Sequence, residues 1–255
     1  MNTLRIIPRL DIKGPNVIKG IFNEGLRVVG SPQELAEQYY RAGADEIVYV
    51  DVVASLYQRN LDFDLLKSVA DRIFVPLTVG GGIRSLGDIN NALRAGADKV
   101  AINTYAIKNP DFLEAAARKF GSQCVVLAIE AKQRTDGGWE AYTDGGRERT
   151  GVDVITWIKQ ASRRGIGEII ISSVDREGLR QGFDLALCKA VASASALPLV
   201  VHGGAGDMET VAAVLQESKP DAVAIASAFH YGDYSVKNLK NFLSKAGLPV
   251  RPVYE

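Results

Sequence analysis

The sequence predicts an α/β protein, a (β/α)8 TIM barrel made of a half-barrel repeated once, read as a single domain over residues 1–255. Three observations lead there. First, short β-branched runs alternate with helical patterns along the whole chain, which is the mark of parallel βα units. Second, segments recur at an offset of 122 residues: 42–51, AGADEIVYVD, resembles 164–173, RGIGEIIISS, and Val79-Gly80-Gly81-Gly82 aligns with Val201-His202-Gly203-Gly204. Third, Asp11 and Glu130 each end an apolar run and lie 119 residues apart. Four units doubled close more naturally into a ring than into an open sheet with a switch point.

The strands are expected at Arg5–Asp11, Glu46–Val52, Val75–Gly80, Lys99–Asn103, Cys124–Glu130, Glu168–Ser173, Leu197–His202 and Ala222–Ala226. Between them run helices with legible ends. Ser31-Pro32 opens the first and Asn109-Pro110 the fourth, each placing a capping side chain before a proline whose missing N–H costs nothing in a first turn. Gly121 and Gly165 are expected to close helices. The two longest connections, 12–31 and 131–152, follow the first and fifth strands and so sit on the face where barrel enzymes build their sites. The second of these is rich in Gly, Asp and Arg and reads as a mobile loop.

With 47% hydrophobic and 24% charged residues, the chain holds enough apolar material for a large core. Thirty basic side chains balance thirty acidic ones, so no overall field draws in polyanions and a nucleic-acid partner is not expected. Cys124 and Cys188 lie in apolar runs without CxxC spacing and read as buried thiols, and no metal site or other cofactor is expected. No run approaches the ~18 apolar residues of a membrane helix, so no membrane partner is expected and a cytoplasmic location fits.

Chemistry is expected at the strand C-termini. Gly80-Gly81-Gly82-Ile83-Arg84 leads into a helix opened by Ser85, and missing side chains let backbone N–H groups approach a phosphate there. Asn103-Thr104 ends the neighbouring strand. In the second half Gly203-Gly204 and Ala226-Ser227 take the matching places, with Gly178 on an adjacent loop. Two such places across one mouth imply a substrate with two phosphates; a single glycine run is equally a tight turn. Asp11 and Glu130, on strands one and five, suit paired acid and base roles. Lys19 reads as a loop cation over phosphate and Asp51 as a polar orienter. His202 ends the seventh strand and is placed to donate to phosphate or move a proton, whereas His230 reads as packing. The absence of GxSxG, Walker and GxGxxG patterns leaves hydrolase, kinase and dinucleotide readings without support.

Several pieces together resemble the cyclase subunit of imidazole glycerol phosphate synthase over essentially the whole chain. They are Arg5-Ile6-Ile7 with Leu10-Asp11, Lys19-Gly20, Gly80-Gly81-Gly82-Ile83, Ala97-Asp98-Lys99-Val100, Ile102-Asn103-Thr104, Phe120-Gly121-Ser122-Gln123, Thr150-Gly151 and Gly203-Gly204-Ala205-Gly206. The Phe120–Gln123 segment and Thr150-Gly151 favour this cyclase over its sister barrel, the phosphoribosyl-formimino isomerase. The resemblance implies ammonia from a glutaminase subunit, a bisphosphorylated formimino ribulosyl-aminoimidazole carboxamide ribonucleotide, ring closure and C–N cleavage. It implies Asp11 as base and residue 130 as acid, one phosphate on Gly82, Asn103 and Thr104, and the other on Gly178, Gly204, Ala226 and Ser227. It also implies a charge ring of Arg5, Glu46, Lys99 and Glu168 at the strand N-termini, gating an ammonia path beside the glutaminase docking face; the bland alternative is a structural salt-bridge ring.

The chain departs from the family pattern at four places on the expected catalytic face. Glu130 replaces an aspartate, Asp144-Gly145 a Ser-Gly, Asp175-Arg176-Glu177-Gly178-Leu179 an Asp-Arg-Asp-Gly-Thr, and His202 a serine. Asp144, Glu177 and His202 are therefore candidates for setting the substrate. Two other functions stay open at this point: a paralogue that uses ammonia to amidinate a cell-surface sugar precursor with a dedicated amidotransferase, and a non-catalytic phosphate-binding activator of a glutaminase.

Overall fold

The computed structural model describes residues 3–22 and 24–253; the 1–255 domain reading reaches past these at both ends. Among the described residues, eight parallel strands form a closed ring: β1 (Arg5–Lys13), β2 (Ile47–Asp51), β3 (Leu77–Gly80), β4 (Lys99–Ile102), β5 (Val125–Gln133), β6 (Glu168–Ser173), β7 (Leu199–His202) and β8 (Ala222–Ile225). Each pairs in parallel with the next, and β8 returns to β1 through Arg5–Ala222 and Pro8–Ile225. This is the barrel the repeat predicts, with boundaries within two or three residues.

Side-chain alternation along the strands sets what lies where, because successive residues point to opposite faces. On β1, Ile6, Leu10 and Ile12 join the large apolar cluster beneath the helices, whereas Ile7 joins Val48, Ala101, Val126, Ile170, Val200, Ala222 and Ala224 in a second cluster that plugs the barrel. The same parity assigns Arg5, Arg9 and Asp11 to the interior with Ile7. On β5 it lines up Val126, Ala128 and Glu130, and on β6 Glu168, Ile170 and Ser172. On β1 one charged residue, Arg5, thus sits below the apolar plug and two, Arg9 and Asp11, above it, while Glu168 lies below the plug on β6 and Glu130 above it on β5.

Some of the expected helix ends form as their signals require and others do not. In α1 (Pro32–Arg41), Ser31 accepts a hydrogen bond from the Glu34 N–H at 3.4 Å ahead of Pro32. In α2 (Leu86–Arg94), Ser85 accepts from the Asp88 N–H at 3.1 Å. In α3 (Asp111–Phe120), Asn109 does not cap: it ends the short helix Thr104–Lys108, and Pro110 stands at the N-cap without a side-chain bond. Gly121 ends α3 at φ 90°, while Gly165 at φ 81° lies in the turn beyond α4 (Val154–Ser162), whose own last cap is Arg163. Cys188 is buried as expected; Cys124, in a 3-10 turn, is only half-buried.

Both long connections are hairpins. Asn16–Ile21 pairs with Glu24–Gly30 and continues from β1. Trp139–Thr143 pairs with Glu148–Asp153 and continues from β5. The segment that composition marks as a mobile loop is therefore paired backbone, held by the buried Glu140, which accepts from the N–H groups of Thr150 and Gly151 and from Arg149. No helix among the described residues is long and apolar enough to cross a membrane.

Candidate active site

Asp11 stands at the rim end of β1, buried between two cations. The Arg9 guanidinium donates to Oδ1 at 2.8 Å and the Lys19 ammonium to Oδ2 at 2.7 Å. Burial by itself would raise this carboxyl, but Arg9 and then Lys19 outweigh it and hold Asp11 well below the usual carboxylate range. Asp11 is thus anionic throughout the working pH range.

Glu130 has the opposite environment. Burial pushes it up to about 7, against the opposing effects of Arg9 and the Gly146 N–H. Its Oε2 accepts from Asn103 Nδ2 at 3.1 Å and from the Gly146 N–H at 2.9 Å, so the β5 hairpin itself holds the acid in place. Two carboxyls on one mouth with proton affinities driven apart are the arrangement expected of a base and an acid. Arg9 acts on both.

Arg9 is the functional residue that sequence reasoning passed over. It is 8% exposed, donates to Ser172 Oγ at 3.2 Å, and lines the floor of a cavity of ≈ 390 Å³. The signal was available: Arg9 shares the parity of Arg5 and Asp11, so on a barrel strand it had to point inward.

That cavity is bordered by Gly82, Asn103, Thr104, Asp51, Glu130 and Asp144, the first phosphate set brought together with the acid. The glycine turn is obligatory here. Gly81 takes φ 97° and Gly82 φ 69°, and a side chain on Gly81 would collide with the Asp51 carbonyl. Asp51 is an orienter: it accepts from the N–H groups of Val53 and Ala54 and pairs with Arg59 at 2.7 Å. Asp144, at φ 54°, donates its N–H to Thr104 Oγ1 at 3.4 Å and so ties the hairpin turn to this subsite.

The second set is arranged differently. Gly178, Gly204, Ala226 and Ser227 do converge, with Glu177 and His202, but around only ≈ 10 Å³ of space. Lys19 is not a solvated loop cation: it lies on a strand, 2% exposed, shared between Asp11 and Glu177. His202 faces Glu177 Oε2 through Nε2 at 3.0 Å and the Ala224 carbonyl through Nδ1 at 2.9 Å. Burial would raise Glu177, yet Lys19 and His202 hold it well below its ordinary value. His230 packs in the wall, its Nδ1 2.7 Å from Tyr39 Oη, and burial lowers it to about 4.

At the opposite end of the barrel the four charges close a complete alternating ring. Arg5 meets Glu46 at 2.7 Å and Glu168 at 2.5 Å; Lys99 meets Glu46 at 2.7 Å and Glu168 at 2.6 Å. Thr78 adds a hydrogen bond to Glu46 at 2.6 Å. No group of His, Cys, Asp and Glu among the described residues is arranged to hold a metal ion.

Comparison with known proteins gives a consistent set of relatives. The model of a family described as "Histidine biosynthesis protein" matches residues 5–235. An "Imidazole glycerol phosphate synthase subunit HisF" from Legionella pneumophila is 56% identical over 209 residues, covering 82% of this chain and 99% of the relative. One of the same description from Streptococcus mutans is 44% identical over 247 residues, covering 97% of this chain and 98% of the relative.

Proposed function

The chain belongs to the histidine biosynthesis protein family, and from that premise we propose how its mouth carries the activity. Its function is that of the cyclase subunit of imidazole glycerol phosphate synthase, a lyase working with a glutaminase partner. The relatives lend no support to the sugar-amidinating paralogue or to the non-catalytic activator. The substrate is the bisphosphorylated formimino ribulosyl-aminoimidazole carboxamide ribonucleotide. The products are imidazole glycerol phosphate and an aminoimidazole carboxamide ribotide, with one water released, since the incoming ammonia nitrogen replaces the ribulosyl ketone oxygen. We place the enzyme in the cytoplasm as one domain.

The observation that carries the mechanism is the divergence of the two rim carboxyls. Asp11, already anionic, takes a proton as ammonia adds and the ring closes. Glu130, held near neutrality, supplies a proton to the departing nitrogen. One phosphate rests on Gly82, Asn103 and Thr104, and the other reaches toward Gly178, Gly204, Ala226 and Ser227. Purified protein given the intermediate and an ammonium salt is expected to form both products. A folded protein that produces neither would remove this reading.

Glu130 makes the rate pH-dependent. Its folded value near 7 stands above the ordinary 4.5, so the protonated acid is lost as pH rises through about 7. Turnover per unit of un-ionised ammonia should fall across that range, and Glu130→Gln should leave a slow, flat profile. The same shift bears on stability: the native state binds more protons between about 4.5 and 7, so this group's contribution declines as pH rises through that window. A wild-type profile that stays flat across pH 7 would dismiss Glu130 as the acid.

Ammonia is proposed to enter at the strand N-termini, where the glutaminase docks. The closed charge ring supports this, as does a shallow groove of ≈ 360 Å³ at the same end, walled by Ile73, Phe74, Pro76 and Asp98. Phe74 is 83% exposed, an apolar anchor of the kind that interfaces bury. Lys99→Ala should weaken glutamine-driven turnover at least tenfold more than ammonium-driven turnover. Equal losses with both nitrogen sources would leave the ring a structural role alone.

A further inference from the structure

The two halves of this barrel repeat one another in backbone but not in charge. At the offset of 122 residues, Glu177 corresponds to Ser55 and His202 to Gly80. Ser55 and Gly80 line the open cavity of ≈ 390 Å³. Glu177 and His202 line the remnant of ≈ 10 Å³. Where one half offers a hydroxyl and a bare backbone, the other inserts a carboxylate and an imidazole.

These two side chains are built in. Glu177 is 4% exposed and His202 5%. Glu177 Oε1 accepts a hydrogen bond from the Lys19 ammonium, and Oε2 lies 3.0 Å from His202 Nε2. His202 Nδ1 lies 2.9 Å from the Ala224 carbonyl, which fixes the ring with Nε2 toward Glu177. The carboxylate is therefore held between the Lys19 ammonium and the His202 imidazole. The hairpin carrying Lys19 is stitched to the same segment: the Phe22 N–H donates to the Glu177 carbonyl at 2.9 Å, and Gly178 packs so closely on Gly20 that a side chain there would strike its carbonyl.

A carboxylate held between an ammonium and an imidazole beside a double-glycine turn has the charge and the neighbours of a bound phosphate oxygen pair. We propose that Glu177 is an internal anion that stands in for the second phosphate of the substrate, and that a phosphate enters this half of the mouth only by taking Lys19 and His202 from it. This rests on the bisphosphate reading above and adds the residue that sets the strength of the second contact. The Gly82 subsite opens instead onto the cavity of ≈ 390 Å³, and the carboxylate beside it, Asp51, is taken up by Arg59 and the Val53 and Ala54 N–H groups, so the two phosphates bind with unequal strength: the Gly82 end anchors, and the Gly204 end is won against Glu177.

Inorganic phosphate is the probe, since its binding needs no knowledge of the full substrate. Calorimetric titration and phosphate-soaked crystals of the wild-type protein should show phosphate on Gly82, Asn103 and Thr104 at concentrations at least tenfold below those that fill the Gly204–Ser227 end. Glu177→Ser, which restores the residue found in the other half, should tighten the second site tenfold or more and leave the first unchanged. Adding Lys19→Met to that variant should abolish the gain. If Glu177→Ser does not fold, the wild-type titration still decides: two sites of equal strength, or phosphate at the second site with Lys19 still on Glu177, would overturn the proposal. Unchanged second-site affinity in a folded Glu177→Ser protein would do the same. Failure of the cyclase assay alone would strike the bisphosphate reading and leave this titration untouched.

Discussion

Asp11→Asn is expected to lose about two to four orders of magnitude of turnover with ammonium as nitrogen source, the usual scale of general acid–base catalysis, while remaining folded and able to hold phosphate. The substitution is nearly isosteric but removes the anion. Its cations do not lose all their partners: Lys19 keeps Glu177 and Arg9 keeps Ser172. The fold should therefore survive, and the loss should appear in kcat rather than in phosphate affinity at the Gly82 end. Steady-state turnover with saturating ammonium, together with a phosphate titration, separates these. Near-normal turnover in a folded Asp11→Asn protein would end the assignment of Asp11 as base.

The second large effect concerns stability and comes from Arg9. Arg9→Met keeps most of the length and apolar stem but leaves Asp11 buried with Lys19 alone. Breaking a buried pair costs about 3–5 kcal/mol, and the surviving Lys19 contact places this case toward the lower figure. For a chain of this size that corresponds to a drop of roughly 6–12 °C in Tm. The pH dependence has a definite sign. Asp11 sits below its ordinary 3.8 in the folded state, so its contribution is present above about pH 4 and is lost as pH falls through the lower, folded value. The gap between wild type and Arg9→Met should be full at neutral pH and shrink in acid. Denaturant unfolding at neutral and acid pH measures it, and a gap that widens in acid would show that Arg9 stabilises through something other than Asp11.

Arg9 and Lys19 also explain why the Asp11 carboxylate tolerates its burial. Each alone would be a costly buried charge. Together with Asp11 and Glu177 they form one alternating chain of opposite charges across the mouth, which ends beside the His202 ring. Glu130, across the barrel, is held instead by neutral donors, Asn103 and the N–H groups of Gly146 and Gly145. That difference in partners, more than depth, separates the two acids.

Much of this architecture was legible in the chain alone. The barrel followed from the doubling of AGADEIVYVD and of the Val79–Gly82 turn, because eight parallel units with a twofold internal echo have few ways to close. Both rim acids were legible because each ends an apolar run, whereas the four ring charges came from the family resemblance. The resemblance supplied the cyclase function, and family membership bears that out. The tertiary structure decided the contacts on the rim. Lys19 and Glu177 lie 158 residues apart and the Asn103–Glu130 pair 27, so no local pattern joins them. The hairpins at 16–30 and 139–153 went unread because antiparallel pairing depends on register, which Gly-, Asp- and Arg-rich segments mark only weakly. Strand period alone tells which way Arg9 or His202 points. Whether that direction ends in open cavity or in an opposing charge depends on the volumes of side chains converging from several strands, and those meet only when the barrel closes.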